Sequence, residues 1–486
     1  MKYKIYGVTT VIIALFISFY ADNISSNNVS GRYHQHKYKK EFNLKSSDKD
    51  NFISHLPIVI IETEGKAIPG NPINESHNNI KKYTTTDDGE KMVYGNIKII
   101  DNSDIYNRIS DEPKIDVGTK IRVRGNSSRH FPKKNYLLRF EEDNKYVNKK
   151  VMGMNPHYEW SLHGPYLDKT LIRNYMWYNI SGEIMEFAPD VRFCEAFING
   201  EYKGLYLMTE TVSSGEENSR INLKKEDSSS NATSYILRLD RGSTVERKNI
   251  KILLNNLEIN EQILDIKFPK YNNLTNGKIE YIVNDFSKFE KSLFSYDYDT
   301  RRYGYWHDID VKNFVDYYII NEFSGNLDSG VYSTFIYKTL GGKLKKVVWD
   351  FNSSCDNYVE TKDSGELLHP EKNIWDSMLF KDEKFTDLVI NRYRELRKSY
   401  LSDDYLLNYI DKTIDYLDDA VDRNFEVWRD SFDEDLLIPE DRNIHSYDEA
   451  VDQLKTYIIN RGIWMDEHIE TLKQYSHESK VKQYNH

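Results

Sequence analysis

The stretch 321–352, NEFSGNLDSGVYSTFIYKTLGGKLKKVVWDFN, constrains the fold more than any other part of the chain. A helical pattern through Phe314, Tyr317, Tyr318 and Asn321 breaks at Gly325 and delivers Glu322, Asn326 and Asp328 at its exit. An aromatic-rich apolar run over 332–337, a Gly341–Gly342 turn and a second apolar run over 344–349 read as a β-hairpin. The second run ends on Asp350. A hairpin returns its two ends to one place, so Asp328 and Asp350 are expected to be neighbours. Two carboxylates brought together on loops suit a metal site or a proton transfer. Taken by itself, the spacing fits equally well an Asp328 that caps a turn and an Asp350 that is an ordinary loop residue, since Asp is common in turns.

Protein kinases place their parts in the same way. A loop Asp takes the substrate hydroxyl proton, a polar residue five positions on helps hold a metal, and an Asp after the next hairpin binds magnesium. Five positions after Asp328 stands Ser333. The residue order NExxGNxDSGxYSTFIYK followed by VVWDFN resembles the CotH family of spore-coat kinases. There a helix ends in Asn-Glu and Asn-x-Asp, and the later strand ends in Trp-Asp-Phe-Asp. The resemblance implies that Asp328 is catalytic and that Asp350, with Ser333 and Asn352, holds the metal. Asn352 stands where the family has its last Asp. If that position is a ligand, the site carries one negative charge fewer.

A second segment, RGNSSRHFPKKNYLLRF over 124–140, reads as strand, polar loop, strand. Its small-residue turn leaves backbone N–H groups and hydroxyls to face an anion, and a lysine at the start of the next strand can reach phosphate oxygens. Successive strand residues point to opposite faces, so only one of Lys133 and Lys134 faces a site. The alternation favours Lys134, which shares a face with Tyr136 and Leu138. By itself the segment also fits a charged surface hairpin. It resembles a CotH motif, RGNSSxxxPKKxYxLxF, which assigns Lys134, Lys133 and Arg124 to nucleotide binding. A further hairpin, 193–198 and 202–210 about an Asn199–Gly200 turn, matches the family's NGxYxGLYxxxE pattern. It implies that Glu210 meets the base or ribose of ATP, although alone Glu210 fits a solvent-facing strand residue. A helical pattern from Pro165 carries Asp168 in its first turn, and Arg173 and Asn174 are candidates to brace the site.

The formal net charge is −11 and no dense basic block appears outside 32–40, so no nucleic-acid partner is expected. Cys194 and Cys355 are too few for a disulfide framework and read as two buried thiols, or alternatively as a single pair. Lys2 and Lys4 precede an apolar run over 5–20, which reads as a signal peptide, or alternatively as an uncleaved membrane anchor. Either reading exports the chain. Residues 22–54 read as a polar linker and 476–486 as a polar tail. Walker-type GxxxxGK[ST], HExxH and GxSxG patterns are absent, which argues against P-loop, zincin and α/β-hydrolase chemistry.

The expected fold is α+β, an atypical protein-kinase-like bilobal domain over 55–475. A β-rich N-terminal lobe over about 55–212 precedes a largely helical C-terminal lobe over about 213–475. Amphipathic helices are expected over 279–294, 383–418 and 446–472. The function implied by the resemblance is ATP- and Mg2+- (or Mn2+-) dependent phosphorylation of Ser/Thr in secreted, cell-surface or spore-coat protein substrates. The alternatives are an inactive surface or coat protein that keeps the fold, and a kinase for surface glycans.

Overall fold

A computed structural model describes residues 31–38, 52–73, 83–102, 106–215, 220–223, 230–241 and 262–482. The chain divides into two compact units, Met1–His34 and Gln35–His486, and all the described strands and helices belong to the second. The apolar run over 5–20 lies outside the described residues. Among the described residues no helix is long and apolar enough to cross a membrane.

The N-terminal part is a closed barrel of seven strands: β1 (Ile58–Glu62), β2 (Val93–Ile100), β3 (Ile115–Arg124), β4 (Asn135–Glu142), β5 (Glu159–His163), β6 (Val191–Ile198) and β7 (Glu201–Glu210). Their order is β3-β2-β1-β6-β7-β5-β4, and β4 pairs back onto β3 to close the ring. Alternation builds it: Val117, Ile121 and Val123 of β3 point inward to meet Leu138, Phe140, Trp160, Leu162 and Met208, while Arg122 and Arg124 point out. The β6–β7 turn is the expected one, with Asn199 at φ 50° and Gly200 at φ 76°, the left-handed pair that a two-residue hairpin requires.

Helix α1 (Arg173–Ile184) follows β5 and packs Tyr175 and Trp177 into a cluster shared with Phe193, Leu205 and Leu207 on the outer face of the barrel. The helical pattern expected from Pro165 starts eight residues late. The Asp168 carboxylate accepts the backbone N–H of both Thr170 and Arg173, and Leu171 sits at φ 66°, so the preceding residues form a turn that caps the helix.

The C-terminal part holds a four-stranded sheet, β8 (Tyr235–Arg241), β9 (Gln262–Phe268), β10 (Thr334–Lys338) and β11 (Lys345–Val347), in the order β9-β8-β10-β11. Around it lie α2 (Asn276–Phe294), α3 (Val311–Phe323), α4 (Ile374–Leu379), α5 (Glu383–Leu396), α6 (Asp403–Leu417), α7 (Asp419–Trp428) and α8 (Tyr447–His468). Helix α3 is buried from Asn313 to Phe323; its apolar residues enter the core, and its buried Asp316, Asn321 and Glu322 are each held by polar partners. The expected hairpin is β10–β11, with Phe335 opposite Val347 and Tyr337 opposite Lys345. The single helical stretch expected over 383–418 is two helices, broken where the Arg397 guanidinium takes the Leu401 carbonyl and the Asp403 carboxylate that opens α6. Both thiols are buried and free.

Two pieces of the segment read as linker pack against the domain. Residues Gln35–Tyr38 form a 3-10 turn whose Gln35 amide exchanges hydrogen bonds with the Phe193 backbone, 2.8 and 3.2 Å. Phe52 is buried edge-on against Phe197, and Ile53–Ser54 pairs with Asn107–Arg108. These side chains complete the open face of β6, a demand that polar composition does not announce.

Candidate functional site

The exit of α3 is a knot of buried polar groups. Asn326 Nδ2 donates to Asn321 Oδ1, 3.0 Å, and the Asn326 N–H donates to the Asn321 carbonyl, 2.9 Å. Glu322 is buried with Arg461 of α8, whose Nη2 reaches Glu322 Oε1 at 2.6 Å. Gly325 at φ 59° lets the chain turn, and a Cβ there would lie 2.1 Å from both Asp363 Oδ2 and the Tyr457 hydroxyl. The turn ends on Asp328, whose carbonyl accepts the N–H groups of Val331 and Tyr332. The motif thus delivers Asp328 from a rigid helix end.

Asp350 follows β11 in the left-handed region, φ 61°, a conformation Asp tolerates better than most residues. Its N–H donates to the Tyr178 hydroxyl of α1, 2.9 Å. Next to it, the Phe351 N–H donates to Asn174 Oδ1, 2.7 Å. The following carbonyls, Ser354 and Cys355, accept from Arg173, which is itself buried with Asp168 at 2.6 Å. The segment 168–174 therefore braces the Asp350 loop.

The electrostatics tie the predicted carboxylates together. Burial pushes the Asp350 carboxyl up to about 6, the charge of Asp328 adds to this, and the charge of Arg124 and the N–H of Asn352 oppose it. Asp240, at the end of β8, is a further acid that acts on Asp350. The register of β8 with β10 sets Leu239 opposite Thr334, which brings Asp240 to the level of Ser333. Ser333 itself lies at φ 49°. Asn352 serves Asp350 through its backbone, while its side-chain amide donates to Ser353 Oγ, 3.3 Å. Arg124, leaving β3, donates to Ser161 Oγ at 3.0 Å and lies 5.2 Å over the Trp349 ring, so the barrel contributes a cation to the site.

The two lysines occupy different surroundings. Strand β4 begins at Asn135, so neither lysine lies on it and pleat alternation does not choose between them. Lys133 is the inward one. Its Nζ donates to the Leu205 carbonyl, 2.7 Å, and to Asn424 Oδ1 of α7, 2.6 Å, and burial pulls its pKa well below the ordinary lysine value. Lys134 is half-exposed and donates to the Arg129 carbonyl, 2.6 Å. Glu210 is buried at the end of β7 and its carboxylate accepts the Asp190 N–H, 3.0 Å, so it is not the solvent-facing residue its strand position suggested.

Three participants escaped the sequence. Helix α7 docks on β7 through Asn424, which accepts from Lys133 and from the Leu205 N–H, 3.1 Å. Replacing Asn424 by Leu strands a buried amine and an N–H, and should cost about 2–4 kcal/mol in urea unfolding; a loss under about 0.5 kcal/mol would show that Lys133 finds other partners. Lys372 packs its amine on the Asn326 carbonyl and Ser329 Oγ; burial pulls its pKa down to about 8, against the raising effect of Glu322 and Asp328. His163 joins Asn174 to the barrel, Nε2 to Nδ2 2.9 Å. None belongs to a local motif; Asn424 and Lys372 arrive from distant parts of the chain, and His163 from the strand before the brace.

The sequence pattern of the CotH kinase proteins matches residues 121–465, well over half of the chain. The chain belongs to this CotH family. It is also similar to inner spore coat protein H of Bacillus subtilis (strain 168), 21% identical over 359 residues, covering 72% of this chain and 87% of that protein. The CotH match spans the segment 124–140, the brace 168–174 and both aspartate loops.

Proposed function

We propose that this CotH protein is an ATP- and divalent-metal-dependent phosphotransferase with a kinase-like two-lobed domain, acting on Ser/Thr hydroxyls of exported, cell-surface or spore-coat proteins. The observation that carries this reading is the charge-coupled pair Asp328 and Asp350, held at the two ends of one hairpin opposite Arg124. Two partly buried carboxylates, with the charge of Asp328 raising the proton affinity of Asp350, are a fit for Mg2+ or Mn2+, which commonly takes one or two protein carboxylates and leaves its other positions to water and phosphate. Among the described residues no group of three or more His, Cys, Asp or Glu is placed to hold a metal, so water and a nucleotide would complete the shell of an ion bound here.

Asp350 would hold the metal, with Ser333 and Asn352 beside it. Bound there, the ion would neutralise charge on the ATP phosphates. Arg124 would pair with a phosphate oxygen. Lys133 and Lys134 would steady the other ATP phosphates, Lys133 only if its amine leaves Asn424. Glu210 would act by fixing the backbone at the adenosine position, since its carboxylate is already engaged. Asp328 would accept the proton of the attacking hydroxyl at a carboxylate oxygen. Lys372, whose amine rests on the Asn326 carbonyl, would place a positive charge near Asp328.

The second reading is a surface or coat protein that keeps the fold without the chemistry. It draws on the engaged amine of Lys133 and on Asn352, whose side chain turns to Ser353. Transfer of label from γ-labelled ATP to the protein itself and to casein, with magnesium or manganese, separates the two. The phosphotransferase predicts label and a metal-dependent thermal stabilisation by ATP. Neither signal with either metal would leave the binding-protein reading.

A further inference from the structure

His163 occupies a position that neither the sequence motifs nor the phosphotransferase roles assign. On β5 the inward residues Trp160 and Leu162 enter the barrel core, so Ser161 and His163 emerge together on the outer face. Ser161 accepts from Arg124 there, and His163 meets Asn174 of α1. The direction of each hydrogen bond can be deduced. The Phe351 backbone N–H can only donate, so the Asn174 atom facing it at 2.7 Å is the amide oxygen. The amide NH2 therefore faces His163, and an NH2 can only donate. Nε2 of His163 must be the acceptor, 2.9 Å away. The imidazole is neutral and its proton sits on Nδ1.

The surroundings agree. Burial disfavours the imidazolium, and the cations Arg124 and Lys133 add to this, holding His163 down to about 3. Among the described residues Asn174 is the only hydrogen-bond partner of the His163 side chain. The result is a neutral N–H donor of fixed orientation, flanked by two cations, on the same face as the Arg124 guanidinium. It is tied through one amide to the loop that carries Asp350. A fixed donor among cations suits an acceptor-rich anion, because it adds a hydrogen bond without adding a third charge to be desolvated.

We infer that His163 donates its Nδ1–H to a phosphate oxygen of a nucleoside triphosphate bound beside Arg124, and that Asn174 holds the ring in the required tautomer. This rests on the phosphotransferase reading. His163 is a binding residue and Asn174 a positioning one.

Two variants at His163 separate the ring's two nitrogens. His163→Gln keeps an acceptor for Asn174 near the place of Nε2 and lacks the Nδ1–H donor. His163→Asn sets an amide N–H near the place of Nδ1. Asn174→Asp still accepts the Phe351 N–H but offers His163 only an acceptor, which forces the proton onto Nε2. In the full chain labelled with 15N-histidine, two-bond proton–nitrogen spectra should show the Nδ1–H tautomer in the wild type, with the Nδ1 resonance moving on addition of a non-hydrolysable ATP analogue and magnesium. Asn174→Asp should show the Nε2–H form. The Kd of the analogue should rise about 10- to 100-fold in His163→Gln and in Asn174→Asp, and be partly restored in His163→Asn. An Nε2–H wild type, or a Kd within twofold in His163→Gln, overturns the inference while leaving the phosphotransferase reading standing. A wild type that binds no analogue with either metal removes that reading and the inference together.

Discussion

An Asp350→Asn protein is expected to fold, to be more stable than the wild type without metal, and to transfer phosphate at least about a thousandfold more slowly. Asn occupies the left-handed region as readily as Asp, so the φ of 61° is kept. The change removes only a charge. Burial and the charge of Asp328 raise the folded-state pKa of Asp350 to about 6, above the ordinary value of 3.8. A raised carboxyl loses its proton first in the unfolded chain, so stability falls as pH rises from near 4 through 6 and stays lower beyond. The wild type therefore carries a cost above about pH 6 that the variant lacks. Allowing for partial solvent screening, that cost is about 1–2 kcal/mol at about pH 7.5. Thermal melts with and without magnesium and ATP, beside label transfer, give both readouts. Label transfer at the wild-type rate would remove Asp350 from the metal site. Equal stability of the two proteins at that pH would mean that neither burial nor the charge of Asp328 raises the Asp350 carboxyl.

The largest loss of stability is expected from Arg461→Met. Arg461 donates to the Glu322 carboxylate and carbonyl and to the carbonyls of Gly365 and Leu367, and both charged side chains are buried. Burial alone pushes the Glu322 carboxyl up. The hydrogen bond from His369 and the charges of Arg461, His369 and Lys372 outweigh it and hold the group at about 2. Removing one partner of a buried pair leaves the other charge without compensation, at about 3–5 kcal/mol. Because the folded pKa lies below the ordinary value of 4.5, this stabilisation is present above about pH 4.5 and is lost as pH falls towards 2. Arg461→Met should therefore unfold at lower urea at neutral pH, and the gap to the wild type should close towards about pH 3. A gap that stays constant with pH would assign the loss to packing. The Asn321–Asn326 knot lies next to Glu322, so displaced Asp328 and lost transfer should accompany the loss.

Much of this protein was legible in local pattern. The β10–β11 hairpin and the Asn199–Gly200 turn are specified by residues a few positions apart, where φ preferences and pleat alternation act directly. The pairing of Asp328 with Asp350 follows from that hairpin alone. The two buried thiols also follow from composition. Pattern failed where the deciding partner is remote. The helix expected from Pro165 begins at Arg173 because Asp168 spends its oxygens on a cap and on Arg173. The two lysines precede the strand, so alternation does not choose between them, and the burial of Lys133 is set by Asn424, 291 positions away. Barrel closure likewise sets the outer face on which Ser161, Arg124 and His163 meet, through pairing of β3 with β4. Side-chain chemistry, turn conformation and strand period are local properties, so the residue order by itself determined the two aspartate loops and the class of fold. Which buried amine, amide and imidazole face one another depends on long-range packing that desolvates them together, and only the tertiary structure decided it.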